Sequence, residues 1–364
     1  MNKRQDTVYH LDESNEGQTL SAALKQQDAN YTWGQVKKWI GSRFVLVNGN
    51  LCLDEARRVQ PTDVIKLLAQ PHAKPVEVTD IRVAYHDEHL LIVEKPAGIT
   101  SVRHVAEKSL SARRRQLQPT LEELLPRVLA KIQRMPWPPP PPAGKNRGRV
   151  QGSKRHRFKR VAVASGSQLP PELQVRAVHR LDRDTSGLML FARTRQAEQG
   201  LVALFRRHKI QRQYWAVCYG AVEKQTLESY MVRDRGDGRR GSQTTDSGEP
   251  PENSLRAVTH VVESEPIKDS KTGEVLYSKI RCQLETGRTH QIRIHLSEAG
   301  HPLCGDAIYF QGSIEGKKTD DSGAPRHALH SDSLQLIHPI TREPLSFKMQ
   351  LPKDLSKWMK RITG

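Results

Sequence analysis

The amino-acid sequence predicts an α+β protein. Two features indicate this class: short apolar runs of strand length bounded by turn residues, and separate segments whose apolar residues recur at helical spacing. Residues 188–192 are an example of the first feature, and residues 121–132 are an example of the second. With 364 residues, the chain is long enough for one large domain or for two to three smaller ones.

A small domain is expected near the start of the chain. Residues 1–17 are polar and are expected to be disordered, and residues 18–69 have the pattern of a compact unit. In order, the expected elements are a helix at 19–24, a second helix capped by Thr32, a strand at 44–47, the Asn48-Gly49 turn and a strand at 64–67. Lys37 and Lys38 fall on the polar face of the second helix.

A larger domain is expected over residues 81–355, after a proline-containing linker at 70–80. The expected elements are a hairpin from 81–85 and 90–93, strands at 173–178, 188–192, 211–220 and 278–284, and a helix at 197–205. Lys95-Pro96-Ala97-Gly98 has the pattern of a plain Pro-Gly turn. Residues 356–364 are expected to form a C-terminal tail.

Residues 101–172 have the composition of a basic, proline-rich insertion. They begin with an expected helix, which has a capping box at Thr120 and Glu123 and in which Pro126 favours a kink or a late start. A stiff spacer of five prolines, Pro138 to Pro142, comes next. Lys145 to Arg160 then contains eight Lys or Arg and no acidic residue, so it is expected to be disordered when free.

The charge balance indicates a polyanionic partner. The chain has 58 Lys and Arg against 40 Asp and Glu, a formal net charge of +18. No apolar run approaches the roughly 20 residues of a membrane span, and the polar start lacks the apolar core of a secretory signal. Nucleic acid is therefore expected rather than a membrane. The four cysteines are scattered without a Cys-x-x-Cys pair, which is typical of a reduced, cytoplasmic protein.

The most informative segment is His179-Arg180-Leu181-Asp182-Arg183-Asp184-Thr185-Ser186-Gly187-Leu188. It places two carboxylates, two arginines, a histidine and two hydroxyls between two apolar strands. Charged residues on a turn that a rigid scaffold holds are typical of a chemical site. The residues alone leave a second interpretation open, a solvated hairpin loop with an Asp turn.

The pattern His-Arg-Leu-Asp-x-x-Thr-Ser-Gly-Leu resembles the central motif of the RluA family of pseudouridine synthases. The resemblance implies that Asp182 is the catalytic residue, whereas Asp184 falls on a variable position. Tyr214, within Gln211–Gly220, resembles the family's active-site tyrosine, which stacks on uracil and is a candidate acceptor of the final proton. Arg288, in Thr-Gly-Arg-Thr-His-Gln-Ile-Arg-Ile-His, resembles the arginine that pairs with the catalytic aspartate.

The resemblance also implies contacts with substrate. Arg180, Thr185, His290 and Arg293 are expected to bind RNA around the catalytic carboxylate. Residues 18–69 resemble the RNA-binding domain typified by ribosomal protein S-four, with Lys37 and Lys38 as RNA contacts. His290, His295 and His301 also suggest a metal site, but their spacing is strand-like and no Cys or Glu partner recurs, so no metal is expected.

The family implies a pseudouridine synthase fold with a mixed, largely antiparallel sheet and flanking helices. Isomerising uridine oxidises nothing and adds nothing, so no cofactor is expected. The expected enzyme is a cytoplasmic monomer that acts on structured RNA, foremost large-subunit ribosomal RNA. Three alternatives remain open: a synthase for transfer RNA, a catalytically inactive RNA-binding factor in ribosome assembly, and a metal-dependent nuclease using Asp182 and Asp184.

Overall fold

The computed structural model describes residues 6–48, 50–72, 74–103, 118–140, 169–233, 240–243, 250–310 and 319–363. The chain divides into two compact units. The first holds Met1–Pro75, and the second holds most of the chain from Val76 onward. None of the described helices is both long enough and apolar enough to cross a membrane.

In the part that the structure describes, the first unit packs two helices on a small antiparallel sheet. Its elements are β1 (Thr7–His10), α1 (Leu20–Gln26), α2 (Trp33–Gly41), β2 (Val45–Val47), β3 (Asn50–Leu51) and β4 (Val64–Leu67), with strand order β1-β4-β2-β3. The hydroxyl of Thr32 caps α2 as predicted, because it accepts a hydrogen bond from the Gln35 amide (3.2 Å). Leu20, Leu24 and Val36 are fully buried between the helices and the sheet.

The prediction of a disordered start is wrong for the described residues before residue 18. Thr7–His10 pairs with β4 along its whole length, and Leu11 is buried. Main-chain hydrogen bonds to the edge of a sheet do not require apolar side chains, so polar composition alone did not reveal this strand.

The second unit is built on one large mixed sheet. Its strands are β5 (Arg82–His86), β6 (Leu90–Lys95), β7 (Arg176–Ala177), β8 (Ser186–Ala192), β9 (Gln211–Tyr219), β10 (Gln225–Val232), β11 (Gly241–Ser242), β12 (Leu255–Lys268), β13 (Val275–Leu284), β14 (Leu329–Ile337) and β15 (Pro344–Lys348). The main order is β11-β10-β12-β13-β9-β14-β8-β6-β5, with β15 on β14 and β7 on β8. Only the β14–β8 pair is parallel among the described strands, which confirms the predicted mixed, largely antiparallel sheet.

Among the described residues of this unit, four helices cover the two faces of the sheet. They are α3 (Leu121–Ile132), α4 (Arg195–Arg206), α5 (Gln291–Glu298) and α6 (Lys353–Thr363). Side chains of α3 and α5 pack on one face, and those of α4 and α6 pack on the other. β8 lies between the two layers: Met189 and Phe191 point into the first, while Leu188 and Leu190 point into the second.

β8 and β14 approach so closely that only glycine fits at position 187. A Cβ on Gly187 would lie 2.4 Å from the Cβ of Ser331, and its φ of +140° is also unfavourable for other residues. This contact fixes the start of β8, which follows directly on the loop that contains Asp182.

Two predicted segments differ from the structure. Residues 173–178 form a strand only at Arg176–Ala177, after a short 3-10 helix at Pro171–Leu173. The described part of the expected tail, residues 356–363, belongs to α6, whose Trp358 is buried and donates its Nε1–H to the Ser322 carbonyl (2.9 Å). An amphipathic last helix that packs on the sheet is therefore part of the core.

The insertion predicted at 101–172 is not wholly peripheral. The capping box at Thr120 and Glu123 is confirmed, and α3 begins there despite Pro126, so a late start is wrong. Its Leu121 and Leu125 are fully buried in the main core. The basic run Lys145–Arg160 and the last two prolines of the spacer lie outside the described residues.

Candidate active site

The loop between β7 and β8 holds Asp182 at the edge of a cleft. Leu181 is buried, and its amide and carbonyl both bond to the Ser101 hydroxyl (3.1 and 2.6 Å). The Thr185 amide closes a turn on the Asp182 carbonyl (3.2 Å). With both sides of the turn anchored, the Asp182 side chain remains 15% exposed and faces the cleft.

A buried lysine holds this loop in place through hydrogen bonds to its main chain. Lys95, the last residue of β6, has no exposed surface, and its Nζ donates to the carbonyls of Asp182 (2.9 Å), Arg183 (2.9 Å) and Thr185 (2.7 Å). Burial lowers its pKa to about 7, although the negative charges of Asp182 and Asp184 act in the opposite direction. The sequence interpretation of Lys95–Gly98 as a plain turn missed this role.

Replacing Lys95 tests whether these hydrogen bonds hold the Asp182 loop in place. Lys95→Met is expected to leave several buried carbonyls without a donor, at a cost of about 1–3 kcal/mol for each unsatisfied group. We therefore expect a lower urea midpoint and a lower turnover rate, because the Asp182 loop loosens. A variant that matches the wild type in both measurements would show that the loop does not depend on Lys95.

The cleft brings together seven of the nine predicted site residues. These are Arg180, Asp182, Thr185, Tyr214, Arg288, His290 and Arg293. Lys37 and Lys38 lie elsewhere, on the exposed surface of α2 in the first unit. Residues that are more than 100 positions apart in the chain thus meet around one carboxylate.

The structure corrects the expected partner of Asp182. Arg293, not Arg288, donates to the Asp182 carboxylate, from Nη1 to Oδ2 at 3.2 Å. Arg288 lines the cleft, but its Nε donates to the Arg256 carbonyl (2.9 Å). The reason is that the chain turns into α5 after His290, which has a φ of +60°, so a residue of the helix reaches Asp182.

Arg293 is also unavailable as the RNA ligand that was expected. Its side chain is 5% exposed, and its other nitrogens, Nε and Nη2, bind the two oxygens of Asp306 (2.6 and 2.9 Å). Burial alone would lower its pKa, but the two carboxylates raise that pKa above its ordinary value. Arg293 is therefore a permanent cation inside the protein, beside Asp182.

Tyr214 projects from the middle of β9 into the same cleft. It is 4% exposed and lies opposite Ser331 of β14. Burial raises the pKa of its phenol, and the positive charge of Arg212 on the same strand acts against that shift. Both residues line the cleft, so a cation accompanies the phenol at the site.

The remaining predicted ligands differ in their exposure. Arg180 is exposed at the cleft. Thr185 is buried, and its hydroxyl bonds to His327 Nε2 (2.8 Å), so it supports the loop rather than offering a free hydroxyl. His290 places Nε2 3.8 Å from Asp182 Oδ1 and bonds through Nδ1 to the Tyr309 hydroxyl (2.8 Å). Burial lowers the pKa of His290, which favours the neutral imidazole.

The strand-like interpretation of the histidine spacing is wrong, because His295 lies within α5. Its two ring nitrogens bond to the hydroxyls of Thr259 and Ser229, each at 2.9 Å. Within the part of the chain that the structure describes, no three His, Cys, Asp or Glu side chains are grouped as metal ligands.

Comparison with known proteins decides the family. Residues 89–298, more than half of the chain, match the model of the RNA pseudouridylate synthases. The chain belongs to this family. It is therefore a pseudouridine synthase, an isomerase, and the resemblance to the RluA family that was drawn from the motifs at Asp182 and Arg288 is confirmed.

Individual relatives agree with this assignment. The chain is 29% identical to a ribosomal large subunit pseudouridine synthase D of Xanthomonas campestris, over 95% of this chain and 89% of that protein. The enzyme of the same name from Xylella fastidiosa is 30% identical, over 93% and 87%. The structure of human RNA pseudouridylate synthase domain containing 4 has the same fold, with a TM-score of 0.50 at 17% identity over 77% of this chain and 92% of that one.

Proposed function

We propose that this enzyme isomerises specific uridines of large-subunit ribosomal RNA, with Asp182 as its catalytic carboxylate. One observation carries the role of Asp182: its carboxylate faces the cleft and is paired with the buried cation Arg293. The names of the bacterial relatives support the choice of RNA, and a net charge of +18 suits a polyanion. Such a substrate also implies work in the cytoplasm, where bacterial ribosomes are assembled.

The chemistry assigns a task to the carboxylate. The bond from uracil N1 to ribose C1′ breaks, the base turns, a bond forms from C5 to C1′, and the proton on C5 is lost while N1 gains one. Atoms and electrons balance without an oxidant or a reductant. Asp182 acts at the sugar, either as a nucleophile at C1′ or as a base for a sugar proton. Arg293 keeps it ionised and aimed.

Cations at the cleft are suited to holding the rest of the nucleotide. Arg180 is exposed, Arg288 is partly exposed, and both line the cleft beside Asp182. Guanidinium groups bind phosphate in a bidentate manner, so these two residues hold the RNA backbone on either side of a uridine that has left its stack. His290, close to Asp182 and mostly neutral, contacts the sugar or the base.

The first unit is an RNA-binding domain of the S-four type. Support comes from its two capped helices and from the turn at Asn48, whose φ of +51° suits the Val-Asn-Gly hairpin. Lys37 and Lys38 are exposed on α2, where they are accessible to phosphates. This unit contributes affinity, and the cleft of the second unit chooses the uridine.

Tyr214 provides the base with a platform, and its hydroxyl accepts the C5 proton while it releases its own proton to solvent. Tyr214→Phe keeps the ring but removes the hydroxyl, so we expect RNA affinity to stay near the wild-type value and product formation to fall. Tyr214→Ala is expected also to weaken binding, because stacking contributes about 1–3 kcal/mol per base. Gel-shift titration and single-turnover assays distinguish the two effects. Wild-type behaviour of both variants would make Tyr214 a core residue only.

Purified enzyme tests the choice of RNA. Unmodified large-subunit ribosomal RNA and transfer RNA, both transcribed with tritium at uridine C5, are incubated with the enzyme, and the tritium released to water is counted. Release from the ribosomal RNA alone is the expected result. Release from transfer RNA alone would show the alternative substrate, and release from neither would favour an inactive assembly factor.

A further inference from the structure

Arg293 is shared unequally between two carboxylates. It gives two hydrogen bonds to Asp306, from Nε at 2.6 Å and from Nη2 at 2.9 Å. It gives Asp182 a single bond, from Nη1 at 3.2 Å. A guanidinium that meets a carboxylate in isolation prefers the bidentate arrangement, and here Asp306 occupies that arrangement.

Asp306 is the more firmly fixed of the two carboxylates. It has no exposed surface, and its Oδ1 also accepts the amides of Ile308 (2.9 Å) and Tyr309 (3.0 Å). The loop that carries Asp306 packs against the main chain of Arg326 at Gly305, where a Cβ would come within 2.2 Å of the Arg326 carbonyl oxygen. Burial would raise the pKa of Asp306, but the hydrogen bond and charge of Arg293 and the two amides hold it below its ordinary value.

We propose that Asp306 is a positioning residue. It holds the guanidinium of Arg293 so that Asp182 receives only one hydrogen bond from that group. The second oxygen of Asp182, Oδ1, then stays open to the cleft, where the His290 ring lies 3.8 Å from it. Without Asp306, the guanidinium of Arg293 rotates and binds both oxygens of Asp182. This arrangement blocks the Asp182 oxygen that acts on the sugar. This inference rests on the proposed role of Asp182.

The surroundings of Asp182 decide how a change at Asp306 is read. Among the described residues, the charged or titratable groups around Asp182 are Arg293, His290, Lys95, Arg180, Arg212, Tyr214, Arg288, Tyr309 and His327. None of these is altered in Asp306→Asn. The loss of the Asp306 charge also acts on His290, His327 and Arg293, so the fall in rate tests the geometry of the Arg293–Asp182 pair, and the acid limb of the rate profile is secondary support.

Asp306→Asn is the test, with single-turnover rates measured at saturating RNA across acidic to neutral pH. We expect the rate to fall by about tenfold to a hundredfold, the range that misplacement of a reacting group by 1 Å produces. RNA affinity should stay within about twofold, because Asp306 is buried and touches no RNA. The fall in rate on the acidic side of the pH profile should occur at lower pH, because an Asp182 carboxylate that accepts two hydrogen bonds from Arg293 is harder to protonate.

Two further variants make the result decisive. Glu123→Gln breaks another bidentate pair, with Arg103, in a part of the second unit that does not line the cleft, so it should lower stability but leave the rate and its pH profile unchanged. Ile308→Pro, at a side chain that is 43% exposed, removes one amide that holds Asp306. It should give a smaller change in the same direction, and it replaces Asp306→Asn if that variant does not fold.

A folded Asp306→Asn with an unchanged rate and acid limb would overturn the proposal. An acid limb that moves to higher pH would also overturn it, because Asp306 would then only keep Arg293 within reach of Asp182. If instead the wild-type enzyme isomerises no uridine in any RNA, the proposed function fails, and the positioning role of Asp306 fails with it.

Discussion

Asp182→Asn is expected to abolish pseudouridine formation, with a loss of about 10⁴-fold or more, the order seen when a member of a catalytic unit is removed. The amide keeps the shape of the side chain and still accepts a bond from Arg293 Nη1, but it lacks the charge that acts on the sugar. RNA affinity should stay within a few-fold of the wild type. Tritium release from the RNA and a gel-shift titration measure the two quantities separately.

Asp184→Asn is the matched control for this prediction. Asp184 is exposed two residues further along the same loop, and its carbonyl, which the substitution keeps, accepts a bond from Arg326 (2.8 Å). The variant should retain wild-type turnover. Equal loss in both variants would show that the reaction needs both aspartates, and pseudouridine formation in excess chelator would exclude a metal-dependent reaction.

Arg293→Met is expected to have the second-largest effect, on both stability and activity. It leaves Asp306 charged in the interior and removes the cation beside Asp182, and breaking a buried pair in this way costs roughly 3–5 kcal/mol. Asp306 then becomes easier to protonate, so the loss of stability should be greatest at neutral pH and smaller in acid. Urea unfolding at several pH values measures this dependence.

Arg288→Met tests which arginine pairs with Asp182, because the sequence predicts Arg288 whereas the structure shows Arg293. Because Arg288 is partly exposed and makes no ion pair with Asp182, its variant should fold normally and lose mainly RNA affinity. If Arg288→Met were inactive and unstable while Arg293→Met were normal, the assignment of the two arginines would be reversed.

Local signals explain what the sequence predicted well. The capping box at Thr120 and Glu123 and the continuous apolar run of β8 depend on residues only a few positions apart. The same is true of the charged motif around Asp182. These elements were predicted because the physics that forms them is short-ranged.

Features that depend on distant partners were missed or misassigned. Lys95 bonds to carbonyls 87 to 90 positions further along the chain, and nothing near it in sequence indicates them. The spacing of His290, His295 and His301 favours a strand, but the segment Gln291–Leu296 does not form one. It is a helix whose polar residues are buried too, so the usual contrast between an apolar and a polar face is absent. Hydrogen bonds across the fold, not periodicity, satisfy Arg293 and His295.

The most direct test of the central claim is a map of the pseudouridines in ribosomal RNA from cells that lack the gene, complemented with the wild-type or the Asp182→Asn protein. We expect one or more large-subunit positions to remain uridine in the deletion strain, to be restored by the wild-type protein, and to stay unmodified with Asp182→Asn expressed at an equal level. Full modification in the deletion strain, or restoration by Asp182→Asn, would contradict the assignment of both the RNA and the catalytic carboxylate.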